Sequence, residues 1–355
     1  MTAPTTDSAM YQTMHRQPDD LRRVLDTGWE PAREAAGLLS GAKRVFVTGI
    51  GTSYHASLVG SWLLRAAGAD ARAVSSFDFA VYPDSFPVTA DDAVIVMAHT
   101  GVKTYSAVAM QRANEAGATV LSVGSQTAEH PGSRLVLRTV EREKSAAYTS
   151  SHLTAMTVLA QVATELGEQR GTSGVAGFRE ALVRLPDQVA DALSRQDDVL
   201  PIAKEAVNRR VYAAGAGPNE ATATELVIKA REAAYGHVDG LAIEQFLHGP
   251  MVAVNAGDLA VLIHVPGAAA ERVAQIAAVL DAIGLQLWIA GQPVAATPTA
   301  TVFPLAETPE LLSPLLAVVP MQILAYQMAV EKGLNPDTFR RDNPVYKDAI
   351  GLLKL

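Results

Sequence analysis

Cysteine is absent from the chain, which excludes disulfide staples, thiolate metal sites and cysteine nucleophiles from the start. Basic runs are just as scarce: no cluster of Lys or Arg exceeds two residues, and the net charge is −8. That balance argues against a nucleic-acid partner, whose phosphates demand a concentrated positive field. No run of 18 apolar residues occurs, and the first twenty residues lack the charged-then-apolar pattern of a signal peptide. No membrane partner is therefore expected, and the reading is cytoplasmic. Charged residues are few, at 19%; apolar ones make up 49% of 355 residues, enough for two cores of about 150 residues each.

Short apolar runs alternate with helical periodicities, the pattern of an α/β fold whose parallel strands are covered on both faces. Residues 1–20 read as an irregular lead-in. Leu21, Val24, Leu25, Trp29, Ala32, Ala35 and Leu38 then mark an amphipathic helix over 20–40. "RVFVTG" (44–49) is a strand that enters the glycine turn "GIGTSYHA" and a helix. Further strands are expected at 71–75, 93–98, 119–123 and 135–139, and helices at 104–116 and 150–167. The cycle restarts at "RVYAAGAGPNEATATELVIKA" (210–230), with the leading glycines Gly49 and Gly215 166 positions apart. Strands at 259–265 and 285–291 and a helix over 311–332 complete a tandem duplication of one α/β unit. The amphipathic stretch 173–198 bridges the halves. The expected division is a lead-in and helix (1–40), a first domain (41–172), a connecting helix (173–200), a second domain (201–340) and a tail (341–355).

Two G-x-G turns do not make a dinucleotide site. The first lacks the third glycine, and no acidic residue caps a second strand. "GIGTS" offers the Thr52 and Ser53 hydroxyls and backbone N–H groups at a helix start, which suits a single phosphate; equally, either hydroxyl is only an N-cap. "MAHTGVKTYS" (97–106) is a second strand-to-helix loop, with a lysine inside it. Glu225, Lys229 and Glu232, spaced four and three apart, share one helix face, and from the residues alone the plainer reading is a solvated salt-bridge face. His55 and His152 fall in helices facing apolar neighbours and read as core. No metal-ligand cluster is read among the eight histidines, and no cofactor is expected.

Taken together and in order over some 320 residues, "GIGTSYHA", "VIVMAHTG", "EQFLHGP" (244–250), "VPMQILAYQMAVEKG" (319–333) and "NPDTFR" (335–340) resemble the tandem SIS (sugar isomerase) domain family. The likeness is to the isomerase half of the glucosamine-6-phosphate synthases. It implies two tandem SIS domains, each a five-stranded parallel sheet flanked by helices in a flavodoxin-like three-layer sandwich, and a homodimer. It also implies that Gly51, Thr52 and Ser53, with His99, Thr100, Gly101, Lys103 and Thr104, hold a sugar phosphate. The second loop departs from the family pattern. Ala98 and His99 stand where Ser and Gln are usual, and Lys103 takes a threonine's place, with Thr104 one position later. Lys103 then either holds the phosphate by charge or points to solvent.

Glu232 falls where the family's glutamate moves a proton between C1 and C2, 16 residues before His248. His248 matches the ring-opening histidine, supplied in the family by the neighbouring subunit, and Lys229 matches a substrate-contacting lysine. Residues 143–159 match the family's next substrate segment, in which Ala147 and Thr149 keep its small-residue character. Tyr148 replaces a serine there; it either reshapes the sugar pocket or serves as a core tyrosine. The implied activity is that of a sugar-phosphate isomerase or deaminase acting on a phosphorylated amino- or keto-sugar of hexose 6-phosphate type. No glutaminase domain and no N-terminal cysteine are read, so ammonia from glutamine is not expected of this chain by itself. The family's tail lysine aligns with Pro344, with Lys347 and Lys354 nearby but out of register. The alternatives are a fructosamine-phosphate deglycase and a non-catalytic SIS-domain sugar-phosphate-binding regulator.

Overall fold

The computed structural model describes residues 7–353; residues 1–6 of the lead-in and Lys354 lie outside the described residues. The chain opens with helices α1 (Ala9–His15) and α2 (Gln17–Leu39). There follow β1 (Val45–Gly49), α3 (Thr52–Ala66), β2 (Ala71–Ser75), α4 (Ser76–Val81), β3 (Ala93–Met97), α5 (Thr104–Glu115), β4 (Thr119–Gly124), β5 (Leu135–Arg138) and α6 (Ser150–Arg170). After α7 (Phe178–Ser194) and α8 (Leu200–Ala206) come β6 (Val211–Gly215), α9 (Glu220–Ala234), β7 (Val238–Ala242), α10 (Ile243–Leu247), β8 (Leu259–His264) and α11 (Ala270–Ile283). The chain ends with β9 (Gln286–Gly291), β10 (Thr301–Phe303), α12 (Ser313–Glu331) and α13 (Pro344–Ile350).

The described residues divide into two compact units. One comprises 16–143, 148–186 and the residues from Arg340 on; the other comprises those up to His15, 144–147 and 187–339. Each holds one five-stranded sheet, and every strand pairing is parallel. The first sheet runs β2-β1-β3-β4-β5, and the second repeats that order as β7-β6-β8-β9-β10. The expected α/β architecture is what the chain adopts. Strands β1, β3 and β6 are buried along their whole length, as parallel strands with helices on both faces must be, and that is why they read as unbroken apolar runs.

The two glycine turns repeat at the level of the backbone. A Cβ on Gly49 would stand 2.4 Å from the Ser53 carbonyl oxygen, and one on Gly215 would stand 2.0 Å from that of Asn219. The second glycines, Gly51 and Gly217, sit at φ +60° and +54°. Each G-x-G therefore needs its first glycine for close approach of helix to strand and its second for a left-handed turn.

The irregular lead-in is corrected by the structure. Residues 9–15 form α1, with Met10 and Met14 fully buried, and the Asp337 carboxylate accepts the N–H groups of Ala9 and Met10 at 2.7 and 2.9 Å. That cap lies more than three hundred positions away in sequence, so nothing local announces the helix. In α6, buried Thr154, Thr157 and Thr164 each return their hydroxyl to the carbonyl four residues earlier, at 2.7, 2.9 and 2.7 Å, which lets a polar sequence run through a core. Among the described residues one helical stretch, Glu310–Glu331, is long and apolar enough to cross a membrane, yet 94% of its apolar window is buried inside the fold.

Candidate active site

In a sheet of this order the two loops that leave β1 and β3 diverge to opposite faces, opening a crevice at the carboxyl ends of the strands. The structure puts a cleft of about 220 Å³ there. Ser53, from the first turn of α3, lines it together with His99, Thr100, Gly101, Lys103 and Tyr148. Six of the expected phosphate and sugar residues are thus brought to one place. Thr52 lines a smaller adjoining cavity beside Ser53, His99 and Tyr148, and Gly51 supplies the positive-φ turn before α3.

The loop after β3 is fixed by its own polar groups. The Ser106 hydroxyl accepts the Lys103 N–H at 2.8 Å and donates to the Lys103 carbonyl at 2.7 Å, leaving the lysine side chain exposed at the cleft. Thr104 does not line the cleft; its φ of +42° is a strained conformation for a β-branched residue at the start of α5. His99 has both ring nitrogens sealed from solvent without a hydrogen-bond partner, and it packs edge-on against Tyr148 at 5.3 Å. Burial, with Arg142 adding repulsion, pushes its pKa down to about 4, so it is neutral at pH 7. Lys103 is therefore the cationic side chain in the cleft lining.

Ala147 and Thr149 are fully buried and lie outside the lining of the cleft. Thr149 serves another purpose. Its N–H and that of Ser151 donate to the buried Glu143 carboxylate, at 3.1 and 2.6 Å, so an acidic side chain caps α6 and anchors the segment that carries Tyr148. Glu143 was not singled out in the sequence, because a cap six and eight residues upstream has no recognised spacing.

The other unit carries the acid–base candidates. On α9 the Lys229 ammonium lies 2.5 Å from Glu232 and 3.5 Å from Glu225. The reading of a solvated face is overturned here: Lys229 is 1% exposed, Glu225 0% and Glu232 20%. Helix α9 is buried on this side as well as along its apolar stripe, so one ammonium is locked between two carboxylates, with Glu232 the member that solvent reaches. Burial of such a network costs several kcal/mol per ion by desolvation, offset only by close pairing.

His248 follows α10, 77% exposed, with its Nε2 3.5 Å from the Glu244 carboxylate. That i,i+4 pair is legible in the sequence, in "EQFLH". Arg272 engages the same carboxylate at 2.5 Å and holds its pKa below the usual carboxylate range. Gly249, at φ +127°, turns the chain away directly after the histidine. His55 and His152 are buried in their helices, as expected of core histidines. Among the described residues no group of three or more His, Asp or Glu side chains is arranged to hold a metal.

The chain resembles known proteins in sequence and in fold. Residues 38–165 match the SIS domain. The glutamine–fructose-6-phosphate aminotransferase (isomerizing) of Pyrococcus horikoshii is 29% identical over 333 residues, covering 92% of this chain and 56% of that protein. The enzyme of the same name from Gloeobacter violaceus is 28% identical over 346 residues. The chain spans about half the length of the curated relatives it matches. In fold it superposes on the C-terminal domain of glucosamine-fructose-6-phosphate aminotransferase from Francisella tularensis, with a TM-score of 0.84 at 17% identity over 92% of this chain and 97% of that one. It also superposes on glucosamine-6-phosphate deaminase from Thermotoga maritima, with a TM-score of 0.71 at 19% identity over 93% and 97% of the two chains.

Proposed function

We propose that this chain is a tandem-SIS enzyme acting on a phosphorylated amino- or keto-sugar, moving a proton between C1 and C2 with Glu232 as the base. The observation that carries the reading is the buried Glu225–Lys229–Glu232 network. Replacing such a network by apolar side chains is often neutral or stabilising. Stability is then a weak reason for the network, and a role in proton transfer gives it a use. Aldose–ketose isomerisation needs a carboxylate whose surroundings are dry and whose proton affinity is set by fixed neighbours. Lys229 supplies that neighbour to Glu232, and Glu225 holds the lysine in turn. His248, exposed after α10, is assigned ring opening, contributed to the neighbouring subunit of a homodimer. Ser53, Thr100, Gly101 and Lys103 are assigned the phosphate.

The resemblance to the aminotransferases and to the deaminase leaves two outcomes for the C–N bond. The enzyme either isomerises a hexose 6-phosphate or also expels ammonia from an amino-sugar phosphate. Incubation with fructose 6-phosphate, glucose 6-phosphate, glucosamine 6-phosphate and a fructosamine 6-phosphate, with ammonia assayed alongside, separates these. Ammonia from glucosamine 6-phosphate identifies a deaminase, and free sugar phosphate with release of the amine carried by the fructosamine identifies a deglycase. Turnover lost in Glu232→Gln supports the reading. Saturable binding without turnover of any of the four contradicts it and favours the regulator, a reading that the substituted loop around His99 supports.

A further inference from the structure

The two sheets share one strand order and one glycine-turn geometry, so the second unit carries its own counterpart of the phosphate cleft: the turn 215–219 after β6 and the loop 265–269 after β8. In the first unit the equivalent pair of loops bounds the 220 Å³ cleft. In the second unit the same pair is tied down by a single segment, the residues that lead into α12. The Glu310 carboxylate accepts the Ala268 N–H at 2.9 Å, on the loop after β8. Three residues later the Ser313 hydroxyl accepts the Asn219 side-chain amide at 2.7 Å, on the turn after β6, and donates to the Glu310 carbonyl at 2.6 Å. The carboxylate lies so close over Gly267 that a Cβ there would stand 2.2 Å from its carbon, and Gly267 takes φ +155°.

We propose that Glu310 is an internal ligand: its carboxylate fills the second unit's anion cradle, so that each chain offers one phosphate site and not two. Three features carry this. An anionic group sits where the first unit's loops turn towards their cleft. It is bonded to a backbone N–H, the donor that phosphate-binding loops use. The Ser313 hydroxyl, three residues on, ties the same segment to the Asn219 side chain of the other turn. The duplication has in this way been made asymmetric with side chains already in the fold. Removing the carboxylate should turn the cradle back into a site for a small oxyanion such as inorganic phosphate.

The test uses the whole chain labelled with 15N-glycine and titrated with inorganic phosphate, comparing wild type with Glu310→Ala. Gly267 reports the second unit, while Gly51 and Gly101 report the first. The expected result is a Gly267 amide peak that moves saturably with phosphate in the variant and stays in place in wild type. Glu310→Gln keeps the fold and an acceptor while removing the charge, and its Gly267 peak should move at higher phosphate than in the alanine variant. A Gly267 peak that stays still in both variants, or that moves equally in wild type, overturns the proposal. The phosphate assignment of the first unit stands or falls separately, on the Gly51 and Gly101 peaks.

Discussion

Lys229 illustrates how one side chain links stability to chemistry. With 1% exposure and two carboxylate neighbours, its removal takes a buried ammonium away from buried Glu225. Lys229→Met should therefore cost about 3–5 kcal/mol in denaturant unfolding, the range for breaking a buried ion pair. Glu232→Gln keeps a partner for the lysine and should cost far less while abolishing turnover. His99 and His130 set the response to acid. Burial pushes both down to about 4, with Arg142 and Arg138 adding to the effect. Unfolded, each titrates near 6.5, so below that pH the unfolded chain binds more protons than the folded one. Stability should be insensitive to these groups above pH 6.5, fall between 6.5 and 4 by up to about 1.4 kcal/mol per pH unit for each histidine, and level off below. Unfolding midpoints across that range should flatten in His99→Gln and in His130→Gln. None of this burial is legible in the sequence. "AHTG" reads as an open loop, and Glu225, Lys229 and Glu232 at helical spacing read as a wet face, because spacing fixes which residues share a face but not what covers it.

The elements themselves were easier to read. Fully buried strands such as "VFVTG" and "AVIVM" announce themselves, and the turn glycines mark where helices begin. Elements whose stability comes from elsewhere stayed hidden. Helix α1 depends on the Asp337 cap; β7, "VDGLA", carries Asp and Gly in place of an apolar run; β10 has only three residues. The G-x-G turns yield an element-scale prediction. Gly49→Ala and Gly215→Ala each force a Cβ against a backbone carbonyl, and each should cost on the order of 1–3 kcal/mol, with Gly49→Ala also weakening phosphosugar binding and Gly215→Ala leaving it intact. Equal loss of binding in both would contradict the assignment of phosphate to the first unit.

At the scale of the whole molecule, the account has a base on α9 and a histidine exposed after α10 that acts on the neighbouring subunit's substrate. Mixing Glu232→Gln chains with His248→Ala chains should then restore activity that neither has alone, to about a quarter of wild type if subunits assort at random into dimers. Each mixed dimer would hold one site with both groups intact. The resemblance in the sequence points to both residues, and the fold adds the buried ammonium beside one and the exposure of the other. The most direct measurement of the central claim is proton NMR of the enzyme in D2O with fructose 6-phosphate and glucosamine 6-phosphate. The account predicts deuterium entering at C1 or C2 with wild type and none with Glu232→Gln. Exchange that persists in Glu232→Gln, or its absence from wild type with every phosphosugar that binds, would contradict it.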